Sequence, residues 1–265
     1  MNENTKIKFS IIVVSLNTKN FFLETIDSII NQSFDNYEII VVDGFSEDGT
    51  KDEILKKKKY FSHFIIERDK GIYDAMNKGI KLAQGEWLIF LNSGDKFFDN
   101  SLLSQINEVD IKKYDVIHGN TIIKNNFLSY IAKSKNFNGE TLLMPFCHQS
   151  CFIKTNIMKE NMFNLDYFLS SDFNLFHQLY LQKRVFHKID KFISIVIAGG
   201  LADREREKVF NENQTILKQK YNKNYFLYFS LYRIYYSINK LIKFFLPTKI
   251  WFLILRIKYR KRIIK

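Results

Sequence analysis

Over its first hundred residues the chain switches repeatedly between two hydrophobic periods, and that alternation restricts the fold more than any other feature. Lys8 to Ser15 (KFSIIVVS) is an unbroken apolar run rich in β-branched residues, as in a strand buried on both faces. Phe22 to Gln32 then carries apolar residues at 22, 23, 26, 29 and 30, which is helical spacing. Tyr37 to Val42 (YEIIVV) is a second strand and stops at Asp43-Gly44. Asp48 and Thr50 stand where a helix cap is expected, with a helix running through Lys59 and its Lys56–Lys59 end solvated. Phe61–Glu67 reads as a third strand, Ile72–Ala83 as a helix and Glu86–Leu91 as a fourth strand. Strands separated by helices and short loops require an α/β fold with a mostly parallel central sheet flanked by helices. Further on, strands are expected over Asp115–His118, Thr121–Ile131 and Val185–Ile197. Helices are expected over Lys154–Glu160, Asp172–Gln182 and Arg204–Tyr221.

Hydrophobic residues make up 46% and charged residues 26% of the 265, enough to bury a sizeable core, so disorder and a disulfide-stapled mini-protein are excluded. Cys147 and Cys151, four apart, match neither CxxC nor a zinc pattern and read as reduced thiols. The net charge of +12 is unevenly placed. Residues 221–265 hold eleven Lys or Arg and no acid, leaving twenty-nine basic and twenty-eight acidic residues in 1–220. A basic tail on a neutral body points to nucleic acid or to an anionic membrane surface. Met1–Lys8 is polar, and the longest charge-free run, Thr141 to Ile153, has 13 residues, short of a membrane span. The expected compartment is therefore the cytoplasm.

Ligands of open parallel sheets bind at the carboxyl ends of strands. Here those ends read Ser15-Leu16-Asn17, Asp43-Gly44 and Asn92-Ser93-Gly94-Asp95, and six of the ten glycines (44, 49, 71, 79, 85 and 94) lie in the same segment. Neither the G-x-G-x-x-G dinucleotide fingerprint nor the G-x-x-x-x-G-K-[ST] phosphate loop is present, which argues against a dehydrogenase and a P-loop NTPase. Taken in order, VVDGFSEDGT and ERDKGIYDAMNKGIKLAQGEWLIFLNSGD resemble the inverting glycosyltransferases of family 2, which have the Rossmann-like GT-A fold. DKGIYDAMNKGI is especially similar to members from bacterial cell-surface polysaccharide pathways. The resemblance covers about residues 8–200.

That resemblance implies a set of roles. A nucleotide diphosphate sugar would bind at the strand ends, with Asp43 accepting hydrogen bonds from the base and Ser15 and Asn17 beside the nucleoside. Asp69 is implied as another nucleotide-side acid, with Asp74 and Asn77 on the following helix. Family members commonly hold Mg²⁺ or Mn²⁺ in an Asp-x-Asp cluster; here Asn92 and Gly94 replace acids, and Asp95 alone remains as metal ligand. His148 and Gln149 match the acceptor-side segment. Asp172, in Ser170-Ser171-Asp172-Phe173, matches the catalytic base that takes the acceptor hydroxyl's proton. The implied division is a GT-A domain over 1–220, with a nucleotide-sugar half to about 98 and an acceptor half from about 99. A basic, aromatic helical tail follows over 221–265.

Within that tail Ser230, Arg233, Ser237, Lys240 and Lys243 form one polar stripe among Phe, Tyr, Leu and Ile, until Pro247 breaks the pattern. This is the composition of an interfacial membrane helix. The expected function is inverting transfer of a sugar to a lipid-linked glycan acceptor by an enzyme peripheral on the inner face of the membrane, with no nucleic-acid partner. A non-catalytic nucleic-acid-binding protein and an inactive glycosyltransferase relative are the alternatives.

Overall fold

Strand β1 (Phe9–Ser15) is buried at all seven positions because it lies inside a sheet covered on both faces. The computed structural model describes residues 7–125, 127–139, 141–221, 225–260 and 262–263. After β1 come α1 (Lys19–Ile30), β2 (Tyr37–Asp43), α2 (Thr50–Lys57), β3 (His63–Ile66), α3 (Ile72–Leu82) and β4 (Trp87–Phe90). The second half supplies β5 (Lys96–Phe97), α4 (Leu102–Asn107), β6 (Val116–Lys124), β7 (Ser129–Ala132), β8 (Cys151–Lys154) and α5 (Thr155–Glu160). It continues with α6 (Ser171–Leu181), β9 (Phe186–Ile197), α7 (Leu201–Arg204), α8 (Arg206–Tyr221), α9 (Phe226–Phe245) and α10 (Thr248–Tyr259).

The sheet runs β3-β2-β1-β4-β8-β6-β9-β5, with β7 against β6. Its first four strands are parallel, as the sequence pattern requires. Beyond β4 the sheet turns mixed: β4–β8, β6–β8, β6–β7 and β5–β9 are antiparallel, and only β6–β9 is parallel. The expected single strand over Thr121–Ile131 is instead a hairpin. Asn125 Oδ1 accepts the N–H groups of Phe127 (2.8 Å) and Leu128 (3.0 Å), an Asx-type turn that reverses the chain between β6 and β7.

Period-two alternation sorts the core into two layers. Ile12, Val14, Ile40, Val42, Leu88 and Phe90 face Tyr73, Ala75, Met76 and Ile80 of α3 and, beyond them, α5 and α6. Ile11, Val13, Ile39, Val41, Trp87 and Ile89 face α1, α4 and Ile54 of α2. At Gly79 α3 approaches so closely that a Cβ would stand 2.5 Å from Ile12 Cγ2.

The composition break near residue 220 is not a packing break. Phe229 of α9 is fully buried with Phe173, Phe210, Ile216 and Leu217, and Tyr232 and Tyr236 stand edge-on to Phe210. Arg233, expected on a polar stripe, donates to Asn211 Oδ1 (2.6 Å) and Gln214 Oε1 (3.2 Å) on α8. One face of α9 is therefore core, and the opposite face is bare. No helix among the described residues is long and apolar enough to cross a membrane.

Candidate active site

The carboxyl ends of β1 and β2 lie in register, Ser15 opposite Asp43, and this juxtaposition builds the first half of the site. Asp43 is fully buried. Its Oδ2 accepts the hydroxyls of Ser15 (2.8 Å) and Ser46 (2.6 Å), and its Oδ1 accepts the Ser46 N–H (2.7 Å). Asn17, at φ 52°, accepts the Glu47 N–H on its Oδ1 (2.8 Å) and donates its own N–H to Ser46 Oγ (2.8 Å). Asp43 and Asn17 thus shape the turn after β2. That turn carries a residue that no sequence motif marks. Phe45 is held at φ 70°, exposed, with Lys51 Nζ 3.8 Å and the Arg68 guanidinium 5.8 Å from its ring centroid.

Asp69 joins this group. Its Oδ1 accepts the Gly71 N–H (2.9 Å), and its Oδ2 stands 2.6 Å from where a Cβ on Gly44 would be, so only glycine leaves the carboxylate its place. Asp74 lies at the start of α3, accepting the Lys70 N–H (3.0 Å) 3.5 Å from Lys78. Partial burial raises its pKa, but the Lys70 N–H and the Lys78 ammonium outweigh that and hold it below the usual range. Asn77 is turned away: its amide donates to the Phe163 carbonyl and accepts the Phe163 N–H, both at 2.9 Å. It ties α3 to the segment leading into α6.

Asp95 ends the loop after β4. It is 6% exposed, its Oδ1 accepting the Ile197 N–H (3.3 Å) and its Oδ2 the Gln149 amide (3.2 Å). Burial pushes the carboxyl up to about 7, against the opposing pull of the Ile197 N–H, His148 and Gln149. Around it Asn92 Oδ1, Ser93 Oγ and His148 Nε2 are shielded from water with no hydrogen-bond partner. A buried polar group left without a partner costs about 1–3 kcal/mol.

An unfolded Asp titrates near 3.9. Between that value and about 7 the folded chain keeps a proton that the unfolded chain has released, so stability falls as pH rises through this window. Asp95→Asn should remove the loss. In thermal unfolding without divalent ions, the variant should be more stable than the parent at pH 8, by up to roughly 4 kcal/mol, with the gap closing toward pH 4. A parent whose stability is flat across this range would contradict the burial argument.

Asp172 begins α6, and three donors converge on it. The Tyr73 hydroxyl (2.9 Å) and the Phe173 N–H (2.8 Å) meet Oδ1, and His148 Nδ1 lies 3.1 Å from Oδ2. Burial raises its pKa, but the hydrogen bond and charge of His148, then Tyr73 and the Phe173 N–H, bring it below the usual carboxylate range, so it is ionised at neutral pH. Tyr73 is a contribution the sequence did not disclose, and so is Glu212. From α8 the Glu212 carboxylate accepts the N–H groups of Phe168 (3.1 Å), Leu169 (3.0 Å) and Ser170 (2.8 Å), fixing the segment that delivers Asp172. Consecutive residues link the two acids: His148 contacts Asp172, and Gln149 contacts Asp95. The thiol of Cys147, next in line, is pushed up to about 11 by burial and stays protonated.

Among the described residues no group of three or more His, Cys, Asp or Glu could hold a metal ion by itself. The donor set is one buried carboxylate, Asp95, beside the unpaired amide oxygen of Asn92. Hard oxygens of this kind suit Mg²⁺, which is commonly held by one or two carboxylates plus substrate phosphates. The residues fit an ion shared with a bound diphosphate.

The chain is 26% identical over 242 residues to the UDP-Glc:alpha-D-GlcNAc-diphosphoundecaprenol beta-1,3-glucosyltransferase WfaP of Escherichia coli, covering 88% of this chain and 94% of that one. Among solved structures it resembles residues 1–349 of Staphylococcus aureus TarS in complex with UDP, with a TM-score of 0.60 at 20% identity. That match covers 80% of this chain and 65% of the TarS fragment. It also resembles the mannosyltransferase PcManGT of Pyrobaculum calidifontis in complex with GDP-Man and Mn²⁺ (TM-score 0.57, 14% identity, covering 75% of this chain and 59% of that one). These likenesses establish the GT-A fold. The family described as Glycosyl transferase family 2 matches residues 10–190, and the chain belongs to it.

Proposed function

We propose that the protein transfers a sugar, with inversion, from a nucleotide diphosphate donor to a lipid-linked glycan acceptor during assembly of a cell-surface polysaccharide. The observation that carries this reading is the pairing of Asp95 and Asp172 through consecutive residues, Gln149 and His148, at the carboxyl end of the sheet. Asp95 shares its loop with the unpaired Asn92 Oδ1 and Ser93 Oγ, oxygens suited to a cation shared with a diphosphate, and Asp172 is an ionised carboxylate suited to a proton. The similarity to WfaP, named for a diphosphoundecaprenol-linked acceptor, supports the acceptor class, and TarS with UDP supports the donor class.

In the proposed step the acceptor oxygen attacks the anomeric carbon as the bond to the diphosphate breaks, the electron pair leaving with the phosphate. A single in-line displacement inverts the configuration. Asp172 takes the hydroxyl proton, held in place by Tyr73 and His148. A second reading is favoured by the unpaired Nε2 of His148: the proton passes to that nitrogen while Asp172 holds the ring through Nδ1. On the donor side, Asn17 and Asp69 form the nucleoside wall on the turn that buried Asp43 and Ser15 shape, and the exposed ring of Phe45 is placed to cover a base. Asp95, with Asn92, would hold Mg²⁺ or Mn²⁺, which when bound stabilises charge on the departing diphosphate.

A titration of nucleotide diphosphates with and without Mn²⁺ tests this reading. Mn²⁺ alone should bind weakly, since only one carboxylate is present. With UDP or GDP it should tighten binding at least tenfold, and Asp95→Ala should abolish that gain while leaving binding in EDTA nearly unchanged. Equal losses in both media would remove the metal from Asp95, and absence of nucleotide binding would remove the donor assignment.

A further inference from the structure

Helix α10 does not trail away from the body but returns to it. Tyr259 stacks on Tyr130 of β7 with centroids 4.1 Å apart, Ile263 bridges Tyr130, and the Ile131 N–H donates to the Arg262 carbonyl (2.8 Å). At this junction lies a cavity of about 400 Å³ lined by Arg256, Ile257, Arg260 and Ile263. Arg256 and Arg260, one helical turn apart, share a face and repel each other. Residues 221–265 contain no acid, and among the described residues neither arginine has an ion-pair partner. Two uncompensated guanidiniums beside isoleucine side chains form a recess for an anion carried on an apolar chain. Guanidinium forks match phosphate oxygens in particular.

The sheet ties this recess to the catalytic end. Ile197, whose N–H bonds Asp95, is in register with Lys124 of β6, and Lys124 is in register with Ser129 of β7. Two strand spacings, about 10 Å, therefore separate the β9 end beside Asp95 from the strand on which α10 docks.

We infer that the Arg256–Arg260 cavity binds the diphosphate of a lipid-linked acceptor, so that the attached sugar reaches toward the catalytic end of the sheet. This rests on the acceptor class proposed above. A phospholipid headgroup offers related chemistry, and the test separates the two. In a full chain carrying Trp87→Phe, so that Trp251 is the sole tryptophan, fluorescence would follow titration with a sugar-free short-chain prenyl diphosphate and, separately, with short-chain phosphatidylglycerol. The Arg256→Gln/Arg260→Gln variant should bind the prenyl diphosphate at least tenfold more weakly, a loss clearly larger than the one it shows for phosphatidylglycerol. Its KM for a lipid-diphosphate-linked sugar should rise in step, while its UDP or GDP binding stays unchanged. Unchanged prenyl diphosphate binding, or equal weakening for both lipids, would overturn the assignment. If the diphosphate binds through the two arginines but the wild-type chain transfers nothing to a lipid-diphosphate-linked sugar, the cavity stands and the acceptor class falls.

Discussion

Asp172→Asn should lower turnover by roughly 10²- to 10⁴-fold while leaving nucleotide-sugar binding near the wild-type level. The substitution keeps the size of the side chain and its ability to accept from Tyr73 and the Phe173 N–H, so α6 should start where it does now. What it removes is the ionised oxygen facing His148. Steady-state transfer, with donor affinity measured separately, separates loss of a base from loss of the fold. His148→Gln then decides which atom takes the proton. A fall comparable with that of Asp172→Asn assigns the proton to Nε2, and a loss of about tenfold or less leaves it with the carboxylate. If Asp172→Asn retains near-wild-type transfer, neither route operates.

The second large effect is expected at the membrane. On the bare face of α9, Leu227, Leu231, Ile234, Ile238 and Leu241 are each at least half exposed, and Phe244 and Phe245 stand 82% and 76% exposed at its end. With eleven cations and no acid over 221–265, the complementary surface we propose is an anionic bilayer, on which the helix would lie. Burying a Phe side chain contributes about 1.5–3 kcal/mol. Phe244→Ser/Phe245→Ser should therefore weaken sedimentation with phosphatidylglycerol vesicles by roughly 100-fold or more. Both rings are exposed, so the fold and nucleotide binding should be unaffected. Truncation would be a poorer test, because it strips Phe229 from the core around Phe210. High salt should reduce vesicle binding without eliminating it, since only the charge attraction is screened. A full-length chain that ignores anionic vesicles would refute peripheral attachment.

Local pattern made the first half of the fold legible. The runs around Ile11–Val14 and Ile39–Val42 are buried on both faces, and no register but a parallel one serves them with helices between. In the second half the strands are short and mixed in direction. There a two-residue strand such as β5, or a reversal at Asn125, is set by partners far away in sequence. The same contrast holds for the site. Asp43, Asp95 and Asp172 stand in motifs that a reader can find. The sequence does not show that Asn77 spends its amide on Phe163, or that Glu212 secures the approach to Asp172, because those partners are 86 and 42–44 residues away. The basic tail was legible as composition, but its division into a packed face and an open one depends on where Phe210 lies.

The most direct test of the account is the anomeric configuration of the product. The full-length chain would be incubated with a panel of nucleotide diphosphate sugars, Mn²⁺ and a lipid-diphosphate-linked sugar acceptor, and the new linkage read by NMR coupling constants. Single displacement with an Asp172 or Asp172–His148 base predicts a linkage of opposite configuration to the donor, with one nucleoside diphosphate released per sugar transferred. A product that keeps the donor's configuration would contradict it.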